Sequence, residues 1–287
     1  MSVCFSLDRS KVTLFSKLLD TLRAFVPEAN IVLNEKGMLL SNLDSTHTVI
    51  AMGSLNSDFL GTVKRFGNTE ESDNNGIAIN LDELYKILKS TTTRLVQADF
   101  KIYDDKVETL LLGASQRQKS LFTLDTYHTD RDFACLSSNI DENLDEYTTK
   151  LTFSTVDFRE ILNSIKIFKS EQVTIQYEED YNRITFLTGE HNQHKIEYVL
   201  PFLKHPVSYL DMEKEIIEEE IIEEMVPTEP IILQLGTDRL LYLARALQLS
   251  TNLQIMLKSD YHPVYFSFHI EDDQSNRLVI GLSPRNA

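Results

Sequence analysis

The sequence predicts an α+β fold with two similar domains, each of which packs a pair of helices on an antiparallel β-sheet. Three observations carry this prediction. A unit made of a short strand, a short amphipathic helix and about three further strands recurs four times along the chain. The 287 residues are long for one core and suit two domains of ordinary size. Helices followed by antiparallel strands, twice per domain, place the helices on one face of the sheet.

The four repeated units can be read directly along the chain. The first starts near Cys4 with "CFSLDRSKVTLFSKLL", and the others start at Gly76, Leu151 and Ile231. Apolar residues at helical spacing predict one helix per unit, over residues 10–25, 81–90, 155–169 and 237–248. The apolar stripes are Leu14, Leu18, Leu22 and Phe25; Leu84 and Leu88; Phe158, Ile161, Leu162 and Ile165; and Leu240, Leu243, Ala244 and Leu247.

The segments after the helices alternate apolar and polar residues, which is typical of strands with one buried face. In "QVTIQYEEDYNRITFLTG" two such strands flank "EDYNR", residues 179–183, which we predict to be a hairpin turn. Residues 126–150, "TYHTDRDFACLSSNIDENLDEYTTK", are acidic and poor in strand pattern. The predicted organisation is therefore a domain over residues 1–125, a connecting loop over 126–150 and a second domain over 151–287.

The composition is that of a soluble globular protein, with 42% apolar and 25% charged residues. No apolar run approaches membrane-spanning length, so no membrane partner is expected. The start, "MSVCFSLDRSKVTLF", lacks the basic residues and continuous apolar core of a signal peptide. The two cysteines, Cys4 and Cys135, are far apart and predict a reducing compartment without a disulfide.

A search for catalytic and metal-binding motifs predicts no enzyme, no cofactor and no metal site. The chain has no GxxxxGK phosphate loop, no GxGxxG after a strand and no HExxH. His191 and His194 lie close together in "GEHNQHK", but a third ligand is not evident, and we interpret the segment as a polar hairpin. Asp44, Ser45 and His47 lie within four residues, yet a nucleophilic triad is defined by geometry rather than adjacency. We interpret that segment as a turn.

The distribution of charge is more informative than its total. The formal net charge is −16, which by itself argues against nucleic-acid binding. The four predicted helices, however, hold ten basic and six acidic residues, a net charge of +4, and the rest of the chain carries −20. Complementation of the helix dipoles accounts for some of these residues. It does not account for Lys17, Lys86, Lys166 or Arg245, although any one of them could be an ordinary solvated residue.

Four stretches resemble the sliding clamps of the proliferating cell nuclear antigen (PCNA) family. They are "GMLLSNLDSTHTVIAMGSL" (37–55), in which "LDSTH" is similar to the family's "DSSH" segment, "IAINLDELYKILKS" (77–90), "SDYHPVYFSFHIEDD" (259–273) and the C-terminal "LVIGLSPRN" (278–286). They occur in the family's order across essentially the whole chain. The resemblance implies the α+β DNA-clamp (processivity) fold.

The resemblance also implies a homotrimeric ring that encircles double-stranded DNA without sequence preference, with helices lining the hole. The partners it implies are a DNA polymerase that the ring tethers, other clients that dock through short peptides, and a clamp loader, whose necessity stays open. The DNA-facing residues implied are Lys17, Arg23, Lys86, Lys89, Lys166 and Arg245, with a second group of Lys11, Arg94, Arg159, Lys169 and Arg239. The edge strands expected to close the ring are residues 115–123 and 193–201.

Family position further implies a client-peptide groove beside the connecting loop. Its walls would be Leu43, His47, Pro263, Val264, Ser283 and Pro284, and Phe133 or Leu136 would supply an apolar cover. The alternative for residues 126–150 is a plain solvated linker. The acidic stretch 211–230 is interpreted as an outer loop followed by the strand "IIEEM", in preference to a helix or a calcium site.

Two other interpretations of function remain open from the sequence. One is a subunit of a heterotrimeric checkpoint clamp, and the other is an acidic scaffold or inhibitor that has the same fold without encircling DNA. The "GMLLSNLDSTH" segment and the "SPRN" end favour the replicative clamp. The expected location is the nucleus or a viral replication compartment, since a cellular and a viral source both stay open.

Overall fold

The computed structural model describes residues 2–34, 36–61, 63–66, 77–90, 95–114, 118–128, 144–189, 192–200, 229–259 and 261–285. Its N-terminal half contains ten strands and three helices among these residues. They are β1 (Ser2–Asp8), α1 (Arg9–Phe25), β2 (Glu28–Asn34), β3 (Gly37–Leu43), β4 (Val49–Asn56), α2 (Ser57–Leu60), β5 (Lys64–Phe66), β6 (Ile77–Asn80), α3 (Leu81–Lys89), β7 (Leu95–Tyr103), β8 (Lys106–Gly113), β9 (Lys119–Asp125) and β10 (Tyr127–His128).

The C-terminal half repeats the strand–helix pattern over the described residues. Its elements are β11 (Thr149–Ser154), α4 (Thr155–Ile167), β12 (Gln172–Glu178), β13 (Arg183–Thr188), β14 (His194–Val199), β15 (Ile231–Gly236), α5 (Thr237–Tyr242), β16 (Asn252–Leu257), β17 (Val264–His269) and β18 (Arg277–Leu282). A 3-10 segment, Leu243–Gln248, continues α5, and two shorter ones are Glu179–Tyr181 and Ile270–Asp272.

The predicted repeats are confirmed, because β1–α1, β6–α3, β11–α4 and β15–α5 each join a strand directly to a helix. The helix bounds agree with the prediction to within two residues, except that the fourth helix is α-helical only to Tyr242 and then tightens into its 3-10 segment. The predicted "EDYNR" hairpin is also confirmed. Asn182 adopts the left-handed conformation there, and the flanking strands pair from Glu178–Arg183 to Val173–Thr188.

Three antiparallel sheets carry these elements. Their strand orders are β5-β1-β7-β8-β9, β14-β13-β12-β15 and β10-β6-β2-β3-β4-β18-β17-β16-β11. The nine-stranded sheet contains strands from both halves, because β4 pairs with β18 from Val49–Leu282 to Ser54–Arg277. The halves are therefore joined by a continuous sheet as well as by the chain itself.

The main core lies where the helices pack against the sheets. Leu18 and Leu22 of α1, Phe158 of α4 and Phe266 of β17 are completely buried within it. At about 25 cal/mol per Å² of apolar surface, burial of such side chains is the main source of stability. Gly37 at the start of β3 has a φ of +145°, and a Cβ there would lie 2.0 Å from the carbonyl oxygen of Leu55, so this turn requires glycine.

Both ends of the predicted connecting loop are tied to the fold. Tyr127 and His128 form β10, which pairs with β6, and the side chains of Leu144 and Tyr147 are buried. Residues 129–143, including Phe133 and Leu136, lie outside the described residues, as do the acidic stretch 211–228 and its predicted "IIEEM" strand. The predicted polar hairpin "GEHNQHK" joins β13 to β14, with residues 190 and 191 outside the described set.

Candidate nucleic-acid interface and client groove

The four long helical segments lie side by side. Helix α1 packs against α3 on one side and against α5 with its 3-10 segment on the other, and α4 packs against the same α5 segment. Ten of the eleven cations predicted to face DNA lie on these helices or next to their ends; Arg94 lies outside the described residues. We call this arrangement the helix layer.

Capping side chains fix where α1, α3 and α4 begin. Asp8 accepts a hydrogen bond from the backbone N–H of Lys11 (3.0 Å), Asn80 from that of Glu83 (3.0 Å), and Ser154 from that of Asp157 (3.1 Å). Each cap is the last residue of a strand, so the strand passes straight into the helix. The apolar stripe of the helix then faces the core, and the basic residues take the remaining positions.

Arg23 is held by carboxylates on two helices. Its guanidinium bonds to Asp20 on α1 (2.8 Å) and to Asp82 on α3 (2.6 Å), and it lies 4.1 Å from the ring centre of Tyr85. The side chain of Arg23 is only 26% exposed. Arg23 therefore joins α1 to α3 and presents little of its charge to solvent.

Lys86 and Arg245 are more exposed but contact the same two carboxylates. Lys86 bonds to Asp82 at 2.5 Å and its side chain is 71% exposed, while Arg245, after α5, lies 3.3 Å from Asp20. The pKa of Asp82 is lowered, chiefly by the hydrogen bond from Lys86. Asp82 thus stays ionised at neutral pH.

Lys17 and Lys89 line a cleft of about 140 Å³ between α1, α3 and the 3-10 segment. The other lining residues are Thr13, Ser16, Asp20, Tyr85 and Gln248. The Lys89 ammonium lies 5.6 Å from the ring centre of Tyr85. Within the described part of the chain, Lys17 forms no ion pair. The cleft is a polar, cationic depression on the helix layer.

On α4 and just after it, Arg159, Lys166 and Lys169 are all exposed. None of the three forms an ion pair with another described residue. Lys169 has a φ of +49°, in the left-handed region, as the chain turns towards β12. The C-terminal half thus contributes cations whose charge is not offset by a neighbouring carboxylate.

Two of the cations predicted to contact DNA bind groups of this chain instead. The Lys11 ammonium donates to the carbonyl oxygen of Asp58 (2.8 Å) and lies near the ring of Phe59. Arg239 bonds to Asp44 (3.0 Å), whose side chain is only 5% exposed. In this conformation both cations serve contacts within the chain.

The predicted groove residues come together around the turn between β3 and β4. The backbone N–H of Ser283 donates to the carbonyl oxygen of Thr48 (2.8 Å), and Leu43 pairs with Ile50 across β3 and β4. His47, in this turn, is exposed with a φ of +57°. Leu43, Ser283 and Pro263 are partly exposed and Pro284 is buried.

Val264 differs from its prediction as a groove wall, because its side chain is fully buried in the main core. Successive residues of a strand face opposite sides of the sheet, so it is Tyr265 that faces the outer side. A separate apolar cluster lies there, with Tyr265, Met52, Met256 and Val279 on neighbouring strands, Leu144 and Tyr147 packed over them, and Leu39 and Ile50 at its margin.

Tyr147 fixes this cover in place. Its hydroxyl donates to the carbonyl oxygen of Pro263 (2.9 Å), and its ring meets Tyr265 edge-on at 5.2 Å between centres. Burial raises the pKa of Tyr147, so its hydroxyl stays protonated. We call the apolar cluster of Met52, Leu144, Tyr147, Met256, Tyr265 and Val279 the outer cluster. The predicted groove is therefore bordered by an apolar surface that residues 144–147 of the same chain cover.

The predicted ring-closing segments lie in two edge strands as far as they are described, over residues 118–123 and 193–200; residues 115–117 and 201 lie outside the described set. Among the described residues, β9 pairs only with β8 and β14 only with β13. Leu121 on β9 is 64% exposed and Val199 on β14 is 58% exposed. Each strand therefore presents unpaired backbone groups beside an exposed apolar side chain, a surface that favours pairing with another chain.

Comparison with known proteins shows what this chain is similar to. Residues 5–134 match the family model described as proliferating cell nuclear antigen, N-terminal domain. The match covers somewhat less than half of the chain, so it is the N-terminal part that is similar to a PCNA domain. The solved structure of the proliferating cellular nuclear antigen from Entamoeba histolytica is similar over 99% of this chain and 98% of that one, with a TM-score of 0.68 and 15% sequence identity. No curated protein sequence matches the chain.

The predicted resemblance and the α+β clamp fold are thus confirmed. Sequence reasoning missed Tyr147, Tyr265 and the carboxylates Asp20 and Asp82. Strand alternation in "PVYFSFH" was the available signal for Tyr265. Among the described residues, no helix has the length and apolar character of a membrane span, and no group of three or more His, Cys, Asp and Glu is placed to hold a metal.

Proposed function

We propose that this chain is a non-enzymatic DNA sliding clamp, which closes into a homotrimeric ring around duplex DNA, tethers a DNA polymerase and docks other replication and repair proteins. The observation that carries the proposal is the gathering of cations on the helix layer of a chain whose net charge is −16. Lys17, Lys86, Lys89, Lys166 and Arg245 all lie there. An acidic protein with one cationic surface attracts DNA at that surface and repels it elsewhere.

In this mechanism the helix layer faces the duplex and contacts phosphates only. Phosphate contacts carry no sequence information, so the ring holds any duplex equally. Retention comes from the closed ring rather than from affinity. Weak contacts are an advantage because each phosphate contact must break when the ring moves along the DNA.

Ring closure would use β9 of one subunit and β14 of the next. Edge strands expose N–H and C=O groups that an antiparallel neighbour satisfies. Leu121 and Val199 would be covered at the same contact. The interface is heterologous, since two different edges meet, and such interfaces form closed rings when the rotation between subunits divides the circle.

Clients would dock beside the outer cluster. Leu43 and His47, at the turn between β3 and β4, and Pro263, just before β17, are at least partly exposed. Short client peptides bury their apolar and aromatic anchors in such surfaces. The relative from Entamoeba histolytica is itself titled a proliferating cellular nuclear antigen, which supports the assignment. A clamp loader and a nuclear or viral replication compartment complete the proposal.

Two alternatives share the fold. A checkpoint-clamp subunit would form a ring only with different partner chains. A scaffold would have the same fold but would not encircle DNA. Light scattering on the purified chain separates them: the proposed clamp has three times the mass of one chain, whereas a persistent monomer favours an alternative.

Charge reversal on α3 tests the DNA-facing surface. We expect the double substitution Lys86→Glu with Lys89→Glu to lower clamp-dependent polymerase processivity by about tenfold, because two phosphate contacts are replaced by repulsion. The fold should persist, since both side chains are exposed and project from the polar face of the helix. The measurement is the product length of a primer-extension reaction with the clamp present.

Lys36→Glu with Lys64→Glu is the matched control, because it changes the net charge equally at two exposed positions off the helix layer. Processivity that falls equally in both double variants would assign the effect to total charge. Processivity that is unchanged by the α3 substitutions would remove Lys86 and Lys89 from the DNA-facing surface.

A further inference from the structure

Two carboxylates on the helix layer form ion pairs with three of the cations that are expected to contact DNA. We propose that Asp20 and Asp82 limit how tightly this layer holds the duplex, so that the clamp remains free to slide. This inference rests on the proposed function and adds to it the residues that set the strength of DNA contact. Asp20 and Asp82 are positioning residues, because they act through Arg23, Lys86 and Arg245.

Asp20 lies between two guanidinium groups. Its Oδ1 accepts from Arg23 Nε (2.9 Å) and Nη2 (2.8 Å), and Arg245 Nη1 lies 3.3 Å from the same oxygen. Arg245 also donates to the carbonyl oxygen of Asp20 (3.3 Å). One carboxylate therefore orients an arginine from each half of the chain.

Asp82 completes the network from α3. Its Oδ1 accepts from Arg23 Nη1 (2.6 Å), and its Oδ2 lies 2.5 Å from Lys86 Nζ. Arg23 thus donates hydrogen bonds from its Nε, Nη1 and Nη2 groups to carboxylates, and its guanidinium lies over the ring of Tyr85. A guanidinium engaged in this way has few N–H groups left for a phosphate.

The electrostatic consequence follows from the charges. Three cations and two carboxylates leave the network with a net charge of +1, where the cations alone would give +3. A phosphate approaching Arg23, Lys86 or Arg245 must compete with a carboxylate already in contact. Each phosphate neutralised by a protein contributes about 0.9 to the slope of log K against log salt, so the network should make that slope shallow.

A purely structural role for the network makes a different prediction. If Asp20 and Asp82 only held the helices together, removing them would lower the melting temperature and leave the salt slope unchanged. Helices α1 and α3 also pack against each other, and Leu22, Leu84 and Leu88 are buried in the same apolar core, so the layer is held by packing that does not depend on the ion pairs.

The test is the double substitution Asp20→Asn with Asp82→Asn, which removes both charges and keeps the side-chain shapes. Binding of the full chain to a short fluorescent linear duplex is measured between about 50 and 200 mM salt. We expect binding to tighten by roughly 5- to 10-fold at about 0.1 M salt and the slope to steepen by about 1 to 2. One-dimensional diffusion on long DNA should slow in the same variant.

Glu83→Gln is the control, because Glu83 is an exposed acid on the same turn of α3 as Asp82. Equal tightening by Glu83→Gln would overturn the inference by showing that any removed acid suffices. If the slope of log K against log salt is unchanged in the double variant while the wild-type protein is retained on circular DNA, the inference is overturned but the proposed ring is not. A steeper slope in a protein that circular DNA does not retain would support the limiting role and overturn the proposed ring.

Discussion

Replacing Leu121 with lysine is expected to convert the proposed trimer into folded monomers. Leu121 is 64% exposed on β9, an edge strand, so the subunit loses no packing of its own. At a subunit contact the change removes a buried leucine, worth about 1.5–3 kcal/mol, and inserts an uncompensated charge. The dissociation constant of the contact should rise about 100-fold or more. Light scattering at micromolar concentration measures the outcome.

Val199→Lys on β14 should have the same effect, and a mixture of the two variants gives a sharper result. The Leu121→Lys chain keeps an intact β14, and the Val199→Lys chain keeps an intact β9. If β9 meets β14, the mixture forms one wild-type contact and stops at a heterodimer, because no second good contact remains to close the ring. Neither variant alone should dimerise.

Val96→Lys is the matched control for both changes. Val96 is 51% exposed on β7, an interior strand of the same sheet as β9. It should leave the trimer intact. A trimer that survives Leu121→Lys, or a mixture that stays entirely monomeric, would contradict the proposed pairing of these edges.

Among single substitutions in the turns of this protein, replacing Asp44 with alanine is expected to give the largest loss in the free energy of unfolding. The side chain of Asp44 is 5% exposed and bonds to the Thr46 hydroxyl (2.6 Å), the backbone N–H groups of Thr48 (2.7 Å) and Val49 (2.9 Å), and Arg239 (3.0 Å). Its removal leaves these donors unsatisfied and separates an ion pair between the two halves. We expect a loss of about 3 kcal/mol in the free energy of unfolding, measured by urea denaturation.

Asp105→Ala is the control, since Asp105 is an exposed aspartate in the turn between β7 and β8 and should change stability by less than about 0.5 kcal/mol. Arg239→Ala should cost less than Asp44→Ala, because the arginine is 37% exposed and the other Asp44 hydrogen bonds remain. Equal stability of the Asp44 and Asp105 variants would show that the bridge between the halves contributes nothing.

The same carboxylate predicts a pH dependence. Burial pushes the pKa of Asp44 upward, but hydrogen bonds from Thr46 and the backbone of Val49 and Thr48, together with Arg239, outweigh it and lower the pKa below 3.8. A lowered pKa means that its stabilisation is fully present above the unfolded-state value and is lost as the pH falls through the folded-state value. The stability gap between wild type and Asp44→Ala should therefore narrow only below about pH 4.

Local periodicity made the helices and the alternating strands after them predictable, because the spacing of apolar residues depends on the helix and strand geometry alone. The choice of edge strands came from the resemblance to the family. The partners of the charged residues were not predictable. Arg23 and Arg239 occupy helix positions that look solvated, yet Arg23 pairs with Asp82 59 residues away and Arg239 with Asp44 195 residues away. Such pairs depend on how helices and turns are brought together in three dimensions.

Some features of the predicted groove could be read from the sequence and others could not. The turn at residues 44–48 lies beside the end of the C-terminal strand, as the hydrogen bond between Ser283 and Thr48 shows, and their role as a groove stays a prediction. Val264, predicted as a wall, is fully buried, and alternation along β17 indicates Tyr265 for the outer face. The cover by Tyr147 follows from its hydrogen bond to the Pro263 carbonyl, a contact over 116 residues without a local sequence signal.

Retention on DNA of defined topology tests the central claim most directly. The protein is assembled on a closed circular plasmid, washed at a salt concentration that removes simple electrostatic binding, and challenged with a restriction enzyme that cuts once. A closed ring predicts that the protein stays on the circle, leaves within minutes of cutting, and stays if the new ends are blocked by a bulky bound protein. Equal loss from circular and cut DNA would contradict a ring that encircles the duplex.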